Sequence, residues 1–444
     1  MYKPLVAIVG RPNVGKSTLF NKIVGKQISI VEDFEGVTRD RVYCDAEWCG
    51  YNFTVIDTGG LDIKSEDSMW NHIKEQARMA VEIAQVIIFV VDGKGGITAN
   101  DREVAEFLRG SSKPVIVAVN KLDNNEVANA YDFYELGIGD VVPVSAEQSK
   151  GIGDLLDEVV EYIDKIGEED NSEVLNIAIV GKPNAGKSSI TNKILGYERV
   201  IVSEVAGTTR DSIDTEFVWQ GKKFNIIDTA GIRKKANVDE GIEQYSVLRA
   251  FAAIRRADVV LVVVDAQEGL SEQDVKIAGY VDDQGKPSII VMNKWDAVEK
   301  DMFTVNKFNK ELESELKFMS YLVPMYVSAK TGQRIDKLLA QSQEVFAEAS
   351  KRIPTGVLND IVQDATIAVE PPAHNGRRLK IYFATQASTN PPVFVFFVND
   401  LELLHFSYRR YLENALRKAF VYKGTPIKMF FRNRNEDNDM GTKK

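Results

Sequence analysis

The chain has 444 residues, or about three domains of ~150 residues each, and its 44% hydrophobic and 27% charged residues exclude a mainly disordered protein. The longest apolar runs, residues 86–91 and 259–264, are far shorter than the ~20 residues of a membrane span, and no cleavable leader is recognisable, so we expect a soluble cytoplasmic protein. The net charge is −10, but residues 351–434 contain 13 Lys/Arg against 6 Asp/Glu, which makes this segment +7 and the remainder −17.

The first predicted elements alternate between strands and helices. Residues 5–9 form an apolar run that leads into a glycine-rich turn and then a helix from Gly15. Further runs rich in β-branched residues lie at 86–91 and 115–119, separated by helix-like segments such as 75–83. Continuous apolar strands that alternate with helices predict a parallel sheet covered on both faces, which is the α/β class.

The motifs of this segment return once, later in the chain. Three of them recur at an offset of 171 residues, since residues 10–17, 36–40 and 57–60 match residues 181–188, 207–211 and 228–231. Residues 120–123 match 293–296 at an offset of 173, and residues 145–146 match 328–329 at 183. The second copy therefore carries about ten extra residues, in the charged stretch around 300–317. This pattern predicts a duplicated domain, because the repeats of a solenoid are much shorter.

These boundaries divide the chain into five predicted segments. They are a first copy (residues 1–166), an acidic linker (167–174), a second copy (175–350), a C-terminal module (351–435) and a polar tail (436–444). In the C-terminal module an amphipathic stretch precedes two strands, a helix and a last strand. The order α-β-β-α-β predicts a small α+β domain.

Each copy contains the pattern G-x-x-x-x-G-K-S between a strand and a helix, which is the context of a phosphate-binding loop. Amides at the start of the helix bind phosphate, and glycine lets the backbone wrap around it. We expect Lys16 and Lys187 to reach the β- and γ-phosphates, and Ser17 and Ser188 to hold Mg²⁺. A purely structural glycine turn would not explain two matches in this context. The predicted loop residues are Gly10, Arg11, Pro12, Asn13, Val14, Gly15, Lys16 and Ser17, and Gly181, Lys182, Pro183, Asn184, Ala185, Gly186, Lys187 and Ser188.

A second motif, D-T-x-G, follows a strand in each copy. Asp57 and Asp228 are placed to bind Mg²⁺ through water, and the amides of Gly60 and Gly231 to bond the γ-phosphate. Thr38 and Thr209, in the preceding loops, are placed to complete the Mg²⁺ shell when a triphosphate is bound. The predicted residues of this motif are Asp57, Thr58, Gly59, Gly60 and Leu61, and Asp228, Thr229, Ala230, Gly231 and Ile232.

A third motif, N-K-x-D, predicts which base is bound. Asp123 and Asp296 can each accept two hydrogen bonds from guanine, whereas adenine lacks the 2-amino group and presents an acceptor at N1. A helix cap is the alternative, but the position after an apolar strand and a phosphate loop favours base recognition. The predicted residues are Asn120, Lys121, Leu122 and Asp123, and Asn293, Lys294, Trp295 and Asp296, with Ser145, Ala146, Ser328 and Ala329 approaching guanine O6 through backbone amides.

This ordered set of motifs resembles the translation-factor-related GTPases, and the tandem copies with a C-terminal module resemble the bacterial Der (EngA) family along essentially the whole chain. The resemblance implies two P-loop GTPase domains with mainly parallel doubly wound sheets and a C-terminal α+β KH-like domain. It also implies a monomeric GTPase that acts in late assembly of the large (50S) ribosomal subunit and its rRNA, with subunit binding controlled by GTP and GDP. Lys16, Thr38, Lys187 and Thr209 would then be catalytic.

Leu61 and Ile232 stand where Ras-like enzymes have a water-orienting glutamine, and neither side chain can orient water. Related assembly GTPases with this substitution use a potassium ion near the phosphates. The resemblance implies that Asn13 and Asn184 help to hold K⁺. The alternative is that both asparagines only stabilise the turn of the loop.

The basic C-terminal module has three open interpretations. KH domains usually grip RNA with a G-x-x-G loop, and none occurs between residues 350 and 444. The cations of the predicted helix, Arg409, Arg410, Arg417 and Lys418, would bind rRNA phosphates, dock on an acidic G domain, or form a solvated face.

Two hypotheses for function remain at this point. The first is a GTP-hydrolysing switch that acts on an RNA–protein particle. The second is a nucleotide-responsive regulatory or tRNA-modification module without a ribosomal partner. In the first, the basic run Arg233, Lys234 and Lys235 beside the second phosphate sensor would change position with nucleotide state; the alternative is a solvated turn.

Overall fold

The computed structural model describes residues 3–25, 43–58, 77–78, 80–111, 113–122, 127–167, 174–196, 200–202, 214–227, 243–374 and 377–433. The chain divides into two compact units, Met1–Ser172 with Val238–Arg249 and Glu173–Asn237 with Ala250–Lys444. Within the described ranges, no helix is both long enough and apolar enough to span a membrane.

The first copy is built on a six-stranded sheet with the strand order β2-β3-β1-β4-β5-β6. Its strands are β1 (Leu5–Val9), β2 (Tyr43–Trp48), β3 (Tyr51–Asp57), β4 (Val86–Asp92), β5 (Val115–Asn120) and β6 (Asp140–Pro143). Its helices are α1 (Lys16–Val24), α2 (Ala99–Arg109), the 3₁₀ helix Val127–Leu136 and α3 (Ile152–Gly167). All neighbouring strands pair in parallel except β2 and β3, which are antiparallel.

The second copy repeats this architecture with a seven-stranded sheet, in the order β13-β12-β11-β7-β10-β9-β8. Its strands are β7 (Val174–Val180), β8 (Val200–Val202), β9 (Thr215–Trp219), β10 (Lys222–Ile227), β11 (Val259–Asp265), β12 (Ser288–Asn293) and β13 (Pro324–Tyr326). Its helices are α4 (Lys187–Leu195), α5 (Glu243–Arg256), α6 (Glu272–Asp283), the 3₁₀ helix Trp295–Ala297, α7 (Thr304–Glu315) and α8 (Ile335–Ala349). Helix α5 has residues in both compact units.

Both sheets are covered on both faces, as the apolar runs predicted. Alternate residues of β1 enter opposite cores, Val6 and Ile8 one of them and Ala7 and Val9 the other, and all four are buried. Because side chains of a strand alternate between faces, a run that is apolar at every position can only be satisfied by helices on both sides.

The C-terminal module has the predicted order of elements, with two further short strands after the first helix. It contains α9 (Thr355–Ala368), the short strands β14 (Ala373–His374) and β15 (Arg377–Arg378), β16 (Ile381–Ser388), β17 (Val393–Val398), the 3₁₀ helix Leu401–Leu403, α10 (Phe406–Phe420) and β18 (Lys428–Asn433). Strand β17 is central, antiparallel to β16 and parallel to β18. One core joins the two longer helices to a single face of this sheet. The α/β assignment with an additional α+β module is therefore confirmed.

Within the second compact unit, the C-terminal module packs against the second copy. The Ser288 amide at the start of β12 donates to the Gly424 carbonyl at 2.8 Å, and the Gly424 amide donates to the Tyr321 carbonyl at 2.9 Å. The Arg417 guanidinium lies 4.9 Å from the centre of the Tyr321 ring, and Lys428 donates to the Asp283 carbonyl at 3.0 Å. These contacts place one of the four predicted helix cations, Arg417, at a docking contact with a G domain.

Two short stretches of the predicted domain plan fall largely outside the described residues. Gly167 ends α3 and Val174 begins β7, so only the ends of the predicted linker are described. The polar tail 436–444 lies entirely outside the described ranges.

Candidate functional site

In both copies the predicted phosphate loop connects the first strand to the first helix. Gly15 and Gly186 precede α1 and α4 with φ of +97°, a left-handed conformation that favours glycine. A β-carbon at Gly15 would lie 2.3 Å from Nδ2 of Asn120, and one at Gly186 would lie 2.1 Å from Nδ2 of Asn293. Glycine is therefore required here both by the backbone and by the asparagine that lies against it.

The loop lysines fold back over their own loops. Lys16 Nζ donates to the carbonyl oxygens of Gly10 and Arg11 at 2.7 and 2.9 Å. Lys187 repeats this arrangement on the carbonyls of Gly181 and Lys182, at 2.6 and 2.7 Å. Burial lowers the pKa of Lys16, while the charge of Asp57 opposes that shift.

Ser17 and Asp57 meet at the carboxyl end of β3. Ser17 Oγ donates to Asp57 Oδ2 at 2.7 Å, and the buried Thr58 hydroxyl donates to the Ile8 carbonyl at 2.7 Å. A hydroxyl and a carboxylate oxygen beside a phosphate loop are hard oxygen donors of the kind that Mg²⁺ prefers. Ser188 is the second residue of the corresponding helix of the second copy, directly after Lys187.

Several predicted site residues lie outside the described ranges, and their positions stay predictions. They are Thr38, Gly59, Gly60, Leu61, Asp123, Thr209, Asp228, Thr229, Ala230, Gly231 and Ile232, together with the basic run Arg233, Lys234 and Lys235.

The asparagine of N-K-x-D connects three predicted segments in each copy. Asn120 Nδ2 donates to the Val14 carbonyl of the phosphate loop at 2.7 Å, and Asn120 Oδ1 accepts from the Ala146 amide at 2.9 Å. Asn293 makes the same bonds to the Ala185 carbonyl and the Ala329 amide, at 2.9 and 3.1 Å. Of the amides that we expected to approach guanine O6, those of Ala146 and Ala329 are thus held next to the base-recognition motif by this asparagine. The amides of Ser145 and Ser328 donate to the carbonyls of Lys150 and Gln333.

The lysine of N-K-x-D has a carboxylate partner that sequence reasoning missed. Lys121 Nζ lies 2.8 Å from Asp92 Oδ2 at the end of β4, and Lys294 pairs with Asp265 at the end of β11. Asp92 and Asp265 are related by the offset of 173 that also relates the N-K-x-D motifs. That repetition, at the carboxyl end of a predicted strand, is the signal that would have identified them.

Asp296, the predicted base-recognition residue of the second copy, is exposed and accepts from Ser328 Oγ at 2.6 Å. This hydrogen bond lowers the pKa of the Asp296 carboxyl, so the group is ionised at neutral pH, as a double acceptor must be. The neighbouring Trp295 is buried against Tyr326, with the two ring centres 4.4 Å apart. Trp295 therefore packs in the core, while Asp296 points to the surface.

A second pair of missed residues caps the helices beside the phosphate loops. Asp101 forms a capping box with Thr98 at the start of α2, and its carboxylate lies 3.4 Å from Nε of Arg11. Asp274 caps α6 in the same way and lies 3.7 Å from Nζ of Lys182. The residue after the first loop glycine is thus tied to a neighbouring helix in both copies.

Comparison with known protein families agrees with this duplication. The model of a family described as 50S ribosome-binding GTPases matches residues 5–121 and again residues 176–294. The model of the KH-domain-like C-terminal domain of EngA bacterial GTPases matches residues 352–432.

Full-length relatives give the same result. The chain is 55% identical over 440 residues to GTPase Der of Clostridium botulinum, which covers 98% of this chain and 100% of the relative. It is 55% identical over 438 residues to GTPase Der of Clostridium tetani and 54% identical over 438 residues to that of Clostridium perfringens, with the same coverage. The chain therefore belongs to the Der (EngA) family and is a GTPase with two G domains and a C-terminal KH-like domain.

Proposed function

We propose that this GTPase acts in late biogenesis of the large (50S) ribosomal subunit, and that its GTP or GDP state controls subunit binding. The observation that carries the proposal is the match of both G domains to a family described as 50S ribosome-binding GTPases. The net charge of +7 in residues 351–434 supports contact with rRNA phosphates. The chain would act as a monomer in the cytoplasm, with the domain boundaries predicted above.

The nucleotide would be held by the same residues in each copy. The phosphate-loop amides with Lys16 or Lys187 would bind the phosphates, and Asp123 or Asp296 would select guanine. The buried Asn120 and Asn293 support this proposal, because each fixes the distance between the phosphate loop and the base-recognition motif. Lys121 and Lys294 would lie along the base, positioned by Asp92 and Asp265.

Magnesium would be held by Ser17 and Asp57 in the first copy and by Ser188 and Asp228 in the second, with Thr38 and Thr209 added in the triphosphate state. When bound, Mg²⁺ neutralises charge on the β- and γ-phosphates. The 2.7 Å contact between Ser17 Oγ and Asp57 Oδ2 supports this assignment, because it brings two oxygen donors to one point.

We further propose that Asn13 and Asn184 hold a potassium ion beside the phosphates. Both side chains are exposed at the phosphate loop, where an amide oxygen can reach a bound cation. Both residues have positive φ, +66° and +64°, which also suits the alternative role of stabilising the turn.

Co-sedimentation with purified large ribosomal subunits tests the proposed function. Binding should be stronger with a non-hydrolysable GTP analogue than with GDP, and should weaken steeply as salt is raised. Equal binding in both nucleotide states would contradict the proposal that GTP and GDP control subunit binding. Absence of binding at every salt concentration would favour a regulatory or tRNA-modification role.

Charge reversal tests whether the C-terminal module contributes to binding of the large ribosomal subunit. Arg410 and Lys418 are exposed on α10, whereas Arg409 donates to the Met429 carbonyl and Arg417 contacts Tyr321, so the first two are the cleaner targets. Arg410→Glu with Lys418→Glu should weaken subunit binding. The matched control reverses two exposed lysines of α7 and should bind as wild type; it is Lys307→Glu with Lys310→Glu.

A further inference from the structure

One face of the C-terminal sheet carries exposed aromatic side chains. In β17 the side chains of Phe394, Phe396 and Val398 are fully buried against the helices, while those of the alternate positions point to the opposite, outer face. Strand pairing extends this outer face, because Phe397 lies opposite Phe383 of β16 and Val395 lies opposite Phe430 of β18. The outer face thus presents aromatic residues from all three strands.

Two aromatic residues of the outer face stack on each other, and aromatic side chains of this face are exposed. The rings of Phe383 and Phe397 are nearly parallel, 13° apart, with their centres separated by 4.3 Å. Phe383 is 42% exposed and Phe430 is 53% exposed, although large apolar side chains are usually buried. The outer face is therefore not a second core of the C-terminal module.

The charged residues in and beside the sheet indicate what kind of ligand the outer face can bind. None of the segments Ile381–Ser388, Val393–Val398 and Lys428–Asn433 contains Asp or Glu, in a chain whose net charge is −10. The exposed Arg432 lies opposite Phe397, at the same end of the sheet as the exposed Lys380. Cations beside exposed aromatic rings, with no carboxylate in the strands, match a polyanion that carries flat apolar groups, which is a single-stranded nucleic acid. The proposed ribosomal role makes that nucleic acid RNA.

The length of the outer face limits how much RNA it can contact. From Lys428 to Arg432 the strand extends about 13 Å, and at the Lys428 end the second G domain adjoins the sheet. The four-stranded sheet of RRM domains stacks two or three bases on its aromatic residues, and this three-stranded sheet carries three aromatic residues on its outer face. The helical route by which KH domains usually bind RNA lacks its G-x-x-G loop in residues 350–444, so the sheet is a separate surface for RNA.

We propose that the outer face of β16, β17 and β18 binds two or three unstacked bases of a single-stranded RNA segment. Phe383, Phe397 and Phe430 stack on the bases, and Arg432 and Lys380 contact the phosphates. This inference rests on the proposed function, because the RNA would belong to the ribosomal particle.

Fluorescence anisotropy of the full-length chain with a labelled, unpaired RNA of twelve nucleotides tests the proposal directly. The variant carries Phe383→Leu and Phe430→Leu, which keep the side chains apolar but remove the aromatic rings. Loss of stacking should weaken binding at least about 10-fold, since each stacked base contributes roughly 5-fold to 100-fold in affinity. Phe430→Tyr keeps a ring at this position and should bind as wild type.

Two controls make the result specific. Phe303, which precedes α7 in the second copy, is 65% exposed, and Phe303→Leu should bind RNA as wild type. The same RNA annealed to its complement should bind more weakly than the single strand, because its bases are already stacked. Equal affinity of wild type and the Phe383→Leu, Phe430→Leu variant, or equal binding of single strand and duplex, would overturn the proposal.

Subunit co-sedimentation of the same variants separates this inference from the proposed function. If wild type co-sediments with large subunits but its affinity for the oligonucleotide does not depend on the phenylalanines, the sheet proposal is wrong and the proposed function stands. If oligonucleotide binding depends on them but no subunit binding occurs, the sheet binds RNA and the proposed function is wrong. If the variant loses subunit binding but keeps oligonucleotide binding, the face docks a protein and the RNA proposal is overturned.

Discussion

The two G domains keep the same contacts around the phosphate loop but differ at the end of one helix. In both, a buried asparagine bridges the loop and the base-recognition segments with bonds of 2.7 to 3.1 Å, against a glycine that leaves no room for a β-carbon. The hydrogen bonds join the asparagine side chains to backbone atoms, and the neighbouring glycine leaves no space for a larger side chain. Substitution at such positions is costly, which explains why the duplicated copies agree there.

The end of helix α2 in the first copy and that of α6 in the second have different partners. Arg109, the last residue of α2, donates to the Leu136 and Gly137 carbonyls of its own domain. The residue at the offset of 173 is Asp282, which accepts from the Tyr321 hydroxyl at 2.6 Å beneath the C-terminal module. Both helix ends thus bond within their own G domain, but the partner of Asp282, Tyr321, also contacts Arg417 of the C-terminal module.

The largest expected effect concerns base selection. With the first site disabled by Lys16→Ala, Asp296→Asn should weaken GTP binding by up to about 10⁴-fold and favour xanthosine triphosphate, whose 2-oxo group accepts from the new amide. Titration with fluorescent GTP and with its xanthine analogue measures this. Glu299→Gln, also an exposed carboxylate-to-amide change, should leave both affinities as in wild type. Unchanged GTP affinity in Asp296→Asn would show that the base assignment is wrong.

The next effect tests whether the two phosphate loops are equivalent. Gly15→Ala and Gly186→Ala should each lower GTP affinity at their own site at least about 100-fold, because the positive φ costs roughly 1–3 kcal/mol and the β-carbon displaces the bridging asparagine. Gly50→Ala and Gly221→Ala are matched controls, since their φ values are also positive but their β-carbons would meet no atom within 4 Å. Nucleotide titration should find the controls normal, and a normal Gly15→Ala would contradict the proposed role of the loop.

A pH-dependent effect is expected at the docking contact of the second copy. Burial, with the nearby charges of Asp283 and Glu413, raises the pKa of Asp282 to about 6, while Tyr321 and Lys428 oppose the shift. A carboxyl whose pKa is raised above its exposed value of about 3.9 stabilises the docked state fully below pH ~4, and this contribution is lost as pH rises through about 6. Opening of the contact should therefore become easier over this range.

Asp282→Asn removes the titration but keeps an acceptor for Tyr321. Between pH 4 and pH 7 the free energy of opening should fall by about 3 kcal/mol more in wild type than in this variant. Hydrogen exchange at the Ser288 and Gly424 amides, corrected for intrinsic exchange rates, measures the opening. Glu272→Gln, an exposed carboxylate on the same helix, should follow wild type. If the free energy of opening changed with pH in the same way in wild type and in Asp282→Asn, the assignment of the pH dependence to Asp282 would be wrong.

Much of the fold, and the motif residues that form the site, could be predicted from the sequence because the sequence patterns that indicate them are short and local. Apolar runs at every position, as in β1, indicate a sheet buried on both faces, and a fixed offset between motifs indicates duplication. The meeting of Ser17 with Asp57 follows from the rule that strands of a parallel sheet end at one edge.

The residues that were missed act through partners distant in sequence. Asp92 and Asp101 are ordinary acidic residues until the fold places them beside Lys121 and Arg11. The outer aromatic face was missed for the same reason, since the sequence 393–398 is apolar at every position and does not reveal which positions a helix covers. Only the packing of one face against α9 and α10 shows that Phe397 lies on the other.

The smallest expected effect separates the two roles of the loop asparagines, and it should be equal in the two copies. GTP hydrolysis should be about 10-fold faster or more in potassium than in sodium at equal ionic strength, if a bound cation stabilises charge on the reacting phosphate. Asn13→Gly and Asn184→Gly keep a residue that adopts positive φ freely but remove the amide oxygen. Each should therefore abolish the potassium response of its own domain while GTP affinity stays near that of wild type. If the glycine variants keep the response, the asparagines serve the turn alone. A response lost in one copy only would show that the two loops, although alike in conformation, differ in catalysis.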